Sequence, residues 1–300
     1  MSSFTIMVDT NCDLPPEYIN EHGIEVLPIP FDLDGTAHNQ GYWQEINEKE
    51  FYDALRAGGV AKTSQINPGT FAAAFKEYAK RDQELLLLLL SSGLSGTYQN
   101  AVVAAREVRE EYPGCRIYPV DTLSATLGHG LLAMLAVNKR KEGLSAGETA
   151  AWLEGKKHSC MGIFTVDDLM YLHRGGRLSK LSAVAGSMLG VKPVLNFAPD
   201  GTLALKDKVR GRKAALELMV KQLQRCINPS TALDTLVICH TDSLENANIL
   251  AEMIKTAVNV RQIIVMTIGP VIGAHLGPGA VAFAFEADMT RGEYERKFYA

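Results

Sequence analysis

A short loop that follows six consecutive leucines holds the residues best suited to chemistry. Residues 91–100 read SSGLSGTYQN. Within them, Gly93-Leu94-Ser95-Gly96-Thr97 is one residue away from the G-x-S-x-G turn that exposes the nucleophilic serine of α/β-hydrolases. The pattern leaves three roles open for Ser95: a nucleophile, a hydroxyl that binds a ligand, or a cap of the helix that follows.

The nucleophile hypothesis requires a histidine within hydrogen-bond reach and an acidic group that orients it. His129, His240 and His275 are candidates for that base, but Thr97 replaces the last glycine of the motif. In the ligand-binding hypothesis, hydroxyls and free N–H groups at a helix start hold an anion. Ser92 and Thr97 are further candidates for contact with the ligand or a partner.

Three other segments carry groups that could bind an anion. The segment KTSQ, residues 62–65, supplies the hydroxyls of Thr63 and Ser64 ahead of a helix start. The segment YLHRGGRLSK, residues 171–180, places Arg174 and Arg177 around a Gly-Gly turn, and arginines can clamp a carboxylate or a phosphate. Arg210 begins the smaller cluster RGRK. The alternative for each segment is an ordinary solvated loop or helix start.

The segment IGPVIGAHLGPGA, residues 268–280, surrounds His275 with glycines. It contains neither GK[ST] nor a G-x-G-x-x-G that follows a strand, so a nucleotide site has little support. Glycines remove the side chains that would bury a structural histidine. This pattern therefore favours a His275 that faces a ligand.

The elements around these residues predict an α/β fold. In the first half, short apolar strands alternate with helices, which indicates a mainly parallel sheet covered on both faces. The leucines form its central strand, Pro28 indicates an edge strand, and Asp13 is expected to cap the first helix. Ligands bind beyond the carboxyl ends of such strands. The loops at residues 8–10, 91–97 and 120–126 are therefore expected to meet on one rim.

A polar stretch near Lys157 predicts a boundary between an α/β domain, residues 1–157, and an α+β domain, residues 158–300. In the second half, Asp200-Gly201 predicts a hairpin between two antiparallel strands. Helices are expected at residues 97–111, 212–226 and 244–257.

Composition excludes several classes of protein. The chain has 300 residues, a net charge of −4 and five cysteines without a C-x-x-C pair. These features argue against nucleic-acid binding, a zinc ribbon and a disulfide scaffold, and no metal or other cofactor is expected. The leucine run is too short to span a membrane and the first residues lack a signal-peptide pattern. We expect a cytoplasmic protein without stable membrane insertion.

Seven motifs in order resemble the DegV family of bacterial fatty-acid-binding proteins. They are VDTNCDLP, KTSQ, SSGLSGTYQNA, VDTLSAT, YLHRGGRLSK, LGVKPVL and IGPVIGAHLGPGA. The resemblance runs over nearly the whole chain. It implies a two-domain fold, α/β followed by α+β, with a lipid between the domains.

The resemblance also implies a function. Family members of the fatty acid kinase system bind a long-chain fatty acid in a buried tunnel and present its carboxylate to a separate ATP-dependent kinase subunit. The product feeds phospholipid synthesis, with only transient contact at the membrane surface during lipid exchange. By this resemblance the chain is a lipid carrier and not an enzyme. The carboxylate-binding residues would be Thr63, Ser95, Gly96 and His275, and Arg174 or Arg177 would face the carboxylate or the kinase.

The chain departs from the family pattern at two places. Ile66-Asn67 follows KTSQ where Pro-Ser is common, and Val281-Ala282-Phe283 stands where a glycine is frequent. The preferred acyl chain length is therefore open. The alternative functions are a serine hydrolase that uses Ser95 and a regulatory protein that binds a small molecule or a phosphosugar.

Overall fold

The computed structural model describes residues 4–39, 43–178 and 190–299. Within these ranges the strands form three sheets, and helices pack around them in a mixed α/β fold. The predicted fold class is confirmed.

The first sheet is parallel and lies in the first half of the chain. Its strands are β1 (Thr5–Asp9), β2 (Ile24–Leu27), β6 (Leu85–Leu89) and β7 (Ile117–Asp121). Their spatial order is β2-β1-β6-β7, and every pairing is parallel. The leucine run is thus a central strand, buried along its length, and the strand before Pro28 is at the edge, as the sequence predicts.

Helices cover both faces of this sheet. They are α1 (Pro16–Glu21), α2 (Glu48–Arg56), α3 (Pro68–Lys80), α4 (Thr97–Glu111), α5 (Leu127–Lys141) and α6 (Ala146–Lys156). Asn47 and Asn67 cap α2 and α3 by accepting a hydrogen bond from the backbone of the first turn, which satisfies an otherwise unpaired N–H group. The predicted helix at residues 97–111 is confirmed.

The prediction that Asp13 caps the first helix is wrong. The N-cap position is Pro15, and Asp13 adopts a left-handed conformation with φ of 48°. Its carboxyl group accepts a hydrogen bond from Gly269 N, far along the chain, at 2.9 Å. A long-range contact therefore replaces the local cap.

A small antiparallel sheet lies beside α2 and was not predicted. It consists of β3 (Phe31–Leu33), β4 (Thr36–His38) and β5 (Ala61–Thr63) in the order β4-β3-β5. Phe31 pairs with Thr63 across β3 and β5. This pairing fixes the position of Thr63.

The second half contains a six-stranded mixed sheet in the order β10-β9-β8-β13-β11-β12. Its strands are β8 (Cys160–Thr165), β9 (Val191–Phe197), β10 (Leu203–Arg210), β11 (Leu233–His240), β12 (Val260–Thr267) and β13 (Val281–Glu286). β9 and β10 form the antiparallel hairpin that Asp200-Gly201 predicts. β11 and β12 are parallel, and the other pairings are antiparallel.

Five further helices accompany this sheet within the described ranges. They are α7 (Met170–Arg174), α8 (Arg212–Cys226), α9 (Leu244–Ala257), α10 (Pro270–Leu276) and α11 (Arg291–Phe298). The bounds of α8 and α9 match the predicted ones. α7, α10 and α11 were not predicted.

α5 packs against strands of both large sheets, namely β1 and β6 on one side and β8, β11 and β13 on the other. Its residues 127–133 are accordingly all buried, as expected of a helix with apolar neighbours all round. The predicted boundary at residues 157 and 158 falls in the connection between α6 and β8. The division into two domains stays a prediction.

None of the helices described here is long and apolar enough to cross a membrane.

Candidate functional site

A cavity lies between the parallel sheet and the six-stranded sheet. Its empty volume is about 950 Å³, a figure that includes open solvent at the mouth. Apolar side chains from both halves line most of it, among them Ile29, Leu90, Phe164, Phe197 and Ile272. Among the described lining residues, Arg177 is the only permanently charged one.

Two aspartates hold the loop that follows the leucine strand. Asp9, at the end of β1, accepts a hydrogen bond from Leu90 N at 2.7 Å. Asp121, at the end of β7, accepts one from Ser92 N at 3.1 Å. The three strand-end loops therefore meet on one rim, as predicted, and two carboxylates that accept hydrogen bonds from backbone N–H groups help to join them.

Ser95 follows this anchored stretch and lines the cavity. Its Oγ lies 2.9 Å from Thr97 Oγ1 and accepts a hydrogen bond from Thr97 N at 3.2 Å. The hydroxyl thus supports the start of α4, and its side chain remains at the cavity surface. A Cβ at Gly96 would lie 2.6 Å from Gln65 Oε1, so glycine lets the Gln65 side chain cover this turn.

Thr63 and His275 meet across the cavity from opposite halves of the chain. Thr63 Oγ1 lies 2.9 Å from His275 Nε2. Burial, together with the positive charge of Arg177, lowers the pKa of His275 to about 4. The imidazole is therefore neutral at neutral pH, and the pair offers hydrogen-bond donors without a net charge.

The basic turn after α7 surrounds His275. Arg177 donates from Nε to Leu94 O at 3.2 Å and from Nη1 to Gly175 O at 2.5 Å. A Cβ at Gly175 would collide with His275 Nδ1, so the ring packs directly on the glycine backbone. Ser179 and Lys180, the last residues of the predicted motif, lie outside the described residues.

Five of the predicted residues therefore line one cavity: Thr63, Ser64, Ser95, Arg177 and His275. Gly96 adjoins it through Gln65. The other four candidates do not line it. The backbone of Ser92 is held by Asp121, Thr97 is buried against Ser95, Arg174 is exposed on α7, and Arg210 is exposed at the end of β10.

The sequence reasoning missed three residues that shape the site. Gln65 lines the cavity and accepts from Asn100 Nδ2 at 3.2 Å. Asp9 and Asp121 position the loop of Ser95. Both aspartates stand in the tripeptide Val-Asp-Thr, which occurs at two strand ends and could have identified them. The sequence analysis used the hydroxyls of these loops and not the carboxylates.

A groove on the outer surface reaches the same polar end of the cavity. Thr63, Arg177 and His275 line both the groove and the cavity. Lys62 and Arg174 add positive charge on the groove side, and the Arg174 guanidinium lies 4.7 Å from the centre of the Tyr171 ring. The polar groups therefore stand between an apolar interior and a basic surface.

This arrangement suits an amphipathic anion. Neutral hydroxyls, the imidazole and nearby Arg177 can hold a small acidic head group, and the apolar walls can cover a hydrocarbon chain. Ser95 lacks the geometry of a nucleophile, because its hydroxyl is hydrogen-bonded to Thr97 and it is Thr63 that contacts the histidine.

Comparison with known proteins identifies the class. A family model described as "Uncharacterised protein, DegV family" matches residues 3–288. A DegV domain-containing protein of Clostridium perfringens is 39% identical over 289 residues, which cover 96% of this chain and 99% of that protein. The chain therefore belongs to the DegV family.

Solved structures agree with this assignment. One is described as fatty acid binding of a DegV family protein from Thermus thermophilus; it has a TM-score of 0.85 and 30% identity, covering 95% of this chain and 99% of that chain. Another is described as DegV, a fatty acid binding protein from Bacillus subtilis; it has a TM-score of 0.82 and 28% identity, covering 96% of this chain and 100% of that chain.

Proposed function

We propose that this protein binds a long-chain fatty acid and presents its carboxylate to a separate ATP-dependent kinase subunit. The carboxylate contacts Thr63, Ser95, Gly96 and His275, and the acyl chain fills the apolar cavity. The protein acts as a carrier, and the phosphoryl transfer that leads to phospholipid synthesis takes place on its partner.

The observation that carries the proposal is the placement of the Thr63–His275 pair at one end of an otherwise apolar cavity. The pair is neutral, so the only permanent positive charge that the described lining residues offer the carboxylate is that of Arg177. Affinity then comes mainly from the acyl chain, at roughly 0.8 kcal/mol per buried methylene before the costs of binding. The fatty-acid-binding relatives from Thermus thermophilus and Bacillus subtilis support the same ligand class.

The basic groove supports the second part of the proposal. It reaches Thr63 and His275 from the outside, so a bound carboxylate is accessible to a partner without release of its chain. Lys62 and Arg174 provide a surface of opposite charge to an acidic partner.

Lipid extraction and native mass spectrometry test fatty-acid binding. We expect protein purified from a bacterial host to carry a fatty acid and the delipidated protein to take up palmitate or oleate. A protein that is consistently empty and binds neither would refute the proposal.

Presentation to the kinase is tested with variants. Thr63→Ala, Ser95→Ala and His275→Ala are each expected to lower fatty acid phosphorylation by about tenfold or more, since each removes a hydrogen bond to a charged group. Thr36→Ala, an exposed threonine on β4, is the matched control and should retain the wild-type rate. Wild-type turnover in all three site variants would refute the residue assignment.

The alternatives have less support. Ser95 as a hydrolase nucleophile would react with a fluorophosphonate probe, and the reaction would be lost in Ser95→Ala. A phosphosugar would place several hydroxyls against apolar walls, where they would lack hydrogen-bond partners.

A further inference from the structure

Within the cavity wall formed by the six-stranded sheet, one phenyl ring lies beside a glycine. Gly162 on β8, Phe197 on β9 and Ala282 on β13 all line the cavity. β8 runs antiparallel to β9 with Ile163 opposite Asn196, which brings Gly162 beside Phe197. The phenyl ring therefore borders a position in the wall that has no side chain.

The position of this ring depends on the glycine. A Cβ at Gly162 would lie 3.0 Å from both Cδ2 and Cε2 of Phe197. Carbon atoms pack optimally at about 3.5–4.0 Å, so any larger residue at position 162 would displace the ring. Phe164, whose ring centre is 6.2 Å away, restricts the movement on one side.

A buried arginine holds the ring from another direction. The Arg291 guanidinium carbon lies 5.4 Å from the centre of the Phe197 ring, within the range of cation–π contact. Arg291 is only 1% exposed. It donates to Cys160 O from Nε at 3.2 Å and from Nη2 at 2.7 Å, and to Leu123 O from Nη1 at 2.5 Å.

These hydrogen bonds make Arg291 a rigid support. Burial lowers its pKa to about 10, so the side chain is still a cation at neutral pH. A buried cation is strongly unfavourable without its hydrogen bonds, which fixes the guanidinium on the two carbonyls. Leu123 belongs to the loop that continues into the cavity-lining residues 125–128, so one side chain secures the ring and the adjoining wall together.

We propose that Phe197, fixed between Gly162 and Arg291, is the residue that determines which acyl chains the cavity accepts. The inference rests on the proposed function, because it presumes that the cavity binds a fatty acid. Phe197 and Gly162 contact the chain directly, and Arg291 is a positioning residue that acts through the ring. A rigid wall excludes chains that exceed the space, and each methylene that is gained or lost changes affinity by about fourfold.

Two substitutions change this wall in opposite directions. Phe197→Leu removes part of the ring, so the preference for longer over shorter saturated chains should rise by at least about fourfold, the value of one methylene. Gly162→Ala pushes the ring toward the cavity and should lower the same ratio by a similar factor. The measurement is the uptake from an equimolar mixture of saturated fatty acids of 14 to 20 carbons by delipidated protein, quantified by mass spectrometry.

Matched controls separate cavity shape from general stability. Phe75→Leu removes a phenyl ring that is buried in the core and does not line the cavity. Gly155→Ala adds a methyl group where no atom lies within 4 Å. Both should keep the wild-type ratio, and thermal unfolding should show that all four variants are folded.

The outcomes distinguish the inference from the function on which it rests. A wild-type protein that takes up no fatty acid contradicts the proposed function itself. A wild-type protein that takes up fatty acid, with the same ratio in Phe197→Leu and Gly162→Ala as in the controls, overturns the inference and leaves the function standing. A ratio of longer to shorter fatty acids that rises in Phe197→Leu and falls in Gly162→Ala supports the inference.

Arg291→Lys tests the positioning role. Lysine keeps the charge and loses the planar group that faces the ring and bonds two carbonyls. We expect the ratio to shift in the same direction as in Phe197→Leu, because the ring is free to retract. If Arg291→Lys unfolds at a lower temperature but takes up longer and shorter fatty acids in the wild-type ratio, Arg291 stabilises the fold and does not act on chain selection.

Discussion

At the residue scale, the chemistry of the site depends on a histidine that stays neutral. The pKa of His275 falls to about 4 because the ring is buried and close to Arg177. Its Nδ1 lies against Gly175 and Nε2 faces Thr63. Gly175, in the turn between Arg174 and Arg177, is therefore as much a determinant of the histidine's position as Thr63 is.

Substitution of Gly175 tests this dependence. Gly175→Ala brings a methyl group within 2.2 Å of His275 Nδ1, so the ring must leave the position in which Nε2 contacts Thr63. We expect the affinity for palmitate to fall by about tenfold, the value of one hydrogen bond to a charged group. Ligand displacement assays measure this change.

Gly114→Ala, at a position with no atom within 4 Å of the added carbon, is the control and should bind as the wild type does. Equal affinity in Gly175→Ala and wild type would mean that the position of the imidazole does not govern binding.

The sequence predicted which residues gather at the cavity better than it predicted what holds them. Thr63, Ser95 and His275 stand in short motifs with glycines or hydroxyls nearby, and such local patterns are visible in one chain. The supports are long-range, because Asp121 binds a backbone group 29 residues away and the Arg291 guanidinium reaches a carbonyl 168 residues away. No local pattern encodes those contacts.

At the element scale, α10 is the short helix that carries His275, and it is anchored to the first half. Gly269, its N-cap residue, donates its N–H to Asp13 Oδ1 at 2.9 Å. Tyr52 OH on α2 donates to Ile268 O at 2.8 Å. Burial, with a further contribution from Asp9, raises the pKa of Asp13 to about 8.

Asp13 therefore gives stability a defined pH dependence. In the unfolded chain the carboxyl ionises near its ordinary pKa of about 4, whereas the folded chain keeps the proton until about pH 8. The folded state binds more protons between these values, so stability decreases as pH rises from about 4 to 8. Asp13→Asn should be more stable than wild type by a few kcal/mol at pH 8 and about equal at pH 4.

Urea unfolding at pH 4, 6 and 8 measures this difference. Asparagine also tolerates the left-handed backbone of residue 13. Asp82→Asn is the control, at an exposed residue with φ of 51°. Its free energy of unfolding should show no increase over wild type as the pH rises. A difference that stays constant with pH would contradict the role assigned to Asp13.

The sequence predicted the bounds of those helices in which the amphipathic pattern extends over several turns. The helices at residues 97–111, 212–226 and 244–257 have the expected bounds, because each spans three or more turns of amphipathic pattern. α10 was missed since its glycines and proline indicate a loop, yet its packing makes it helical. The strands β3 to β5 have three residues each, too few for alternation to be recognised.

At the scale of the whole molecule, the cavity lies between two sheets that are joined by scattered polar contacts. Arg56 forms an ion pair with Asp242 at 2.5 Å, and Ser91 Oγ donates to Gly201 O at 2.8 Å. Gly93 also packs closely on Gly201, since a Cβ there would lie 2.7 Å from the Gly201 carbonyl carbon. A ligand in the cavity contacts residues from both sides of this junction.

Under the proposed function, a bound fatty acid stabilises the whole molecule. A ligand that binds only the folded state adds about 2.7 kcal/mol at a free concentration one hundred times its dissociation constant. The thermal midpoint of the delipidated protein should therefore rise with added oleate in a single transition. Scanning calorimetry measures it, and an unchanged midpoint for wild type would contradict ligand binding across the junction.

The central strand of the six-stranded sheet has a consequence for biosynthesis. β13 pairs with β8 and β11, yet it follows both of them in the chain. While the ribosome is still adding residues before Val281, the pieces β8–β10 and β11–β12 have open edges, which are prone to wrong pairing. β13 also brings Ala282 to the cavity wall. A nascent chain therefore has no closed cavity, and under the proposed function a lipid can be loaded only into the finished protein.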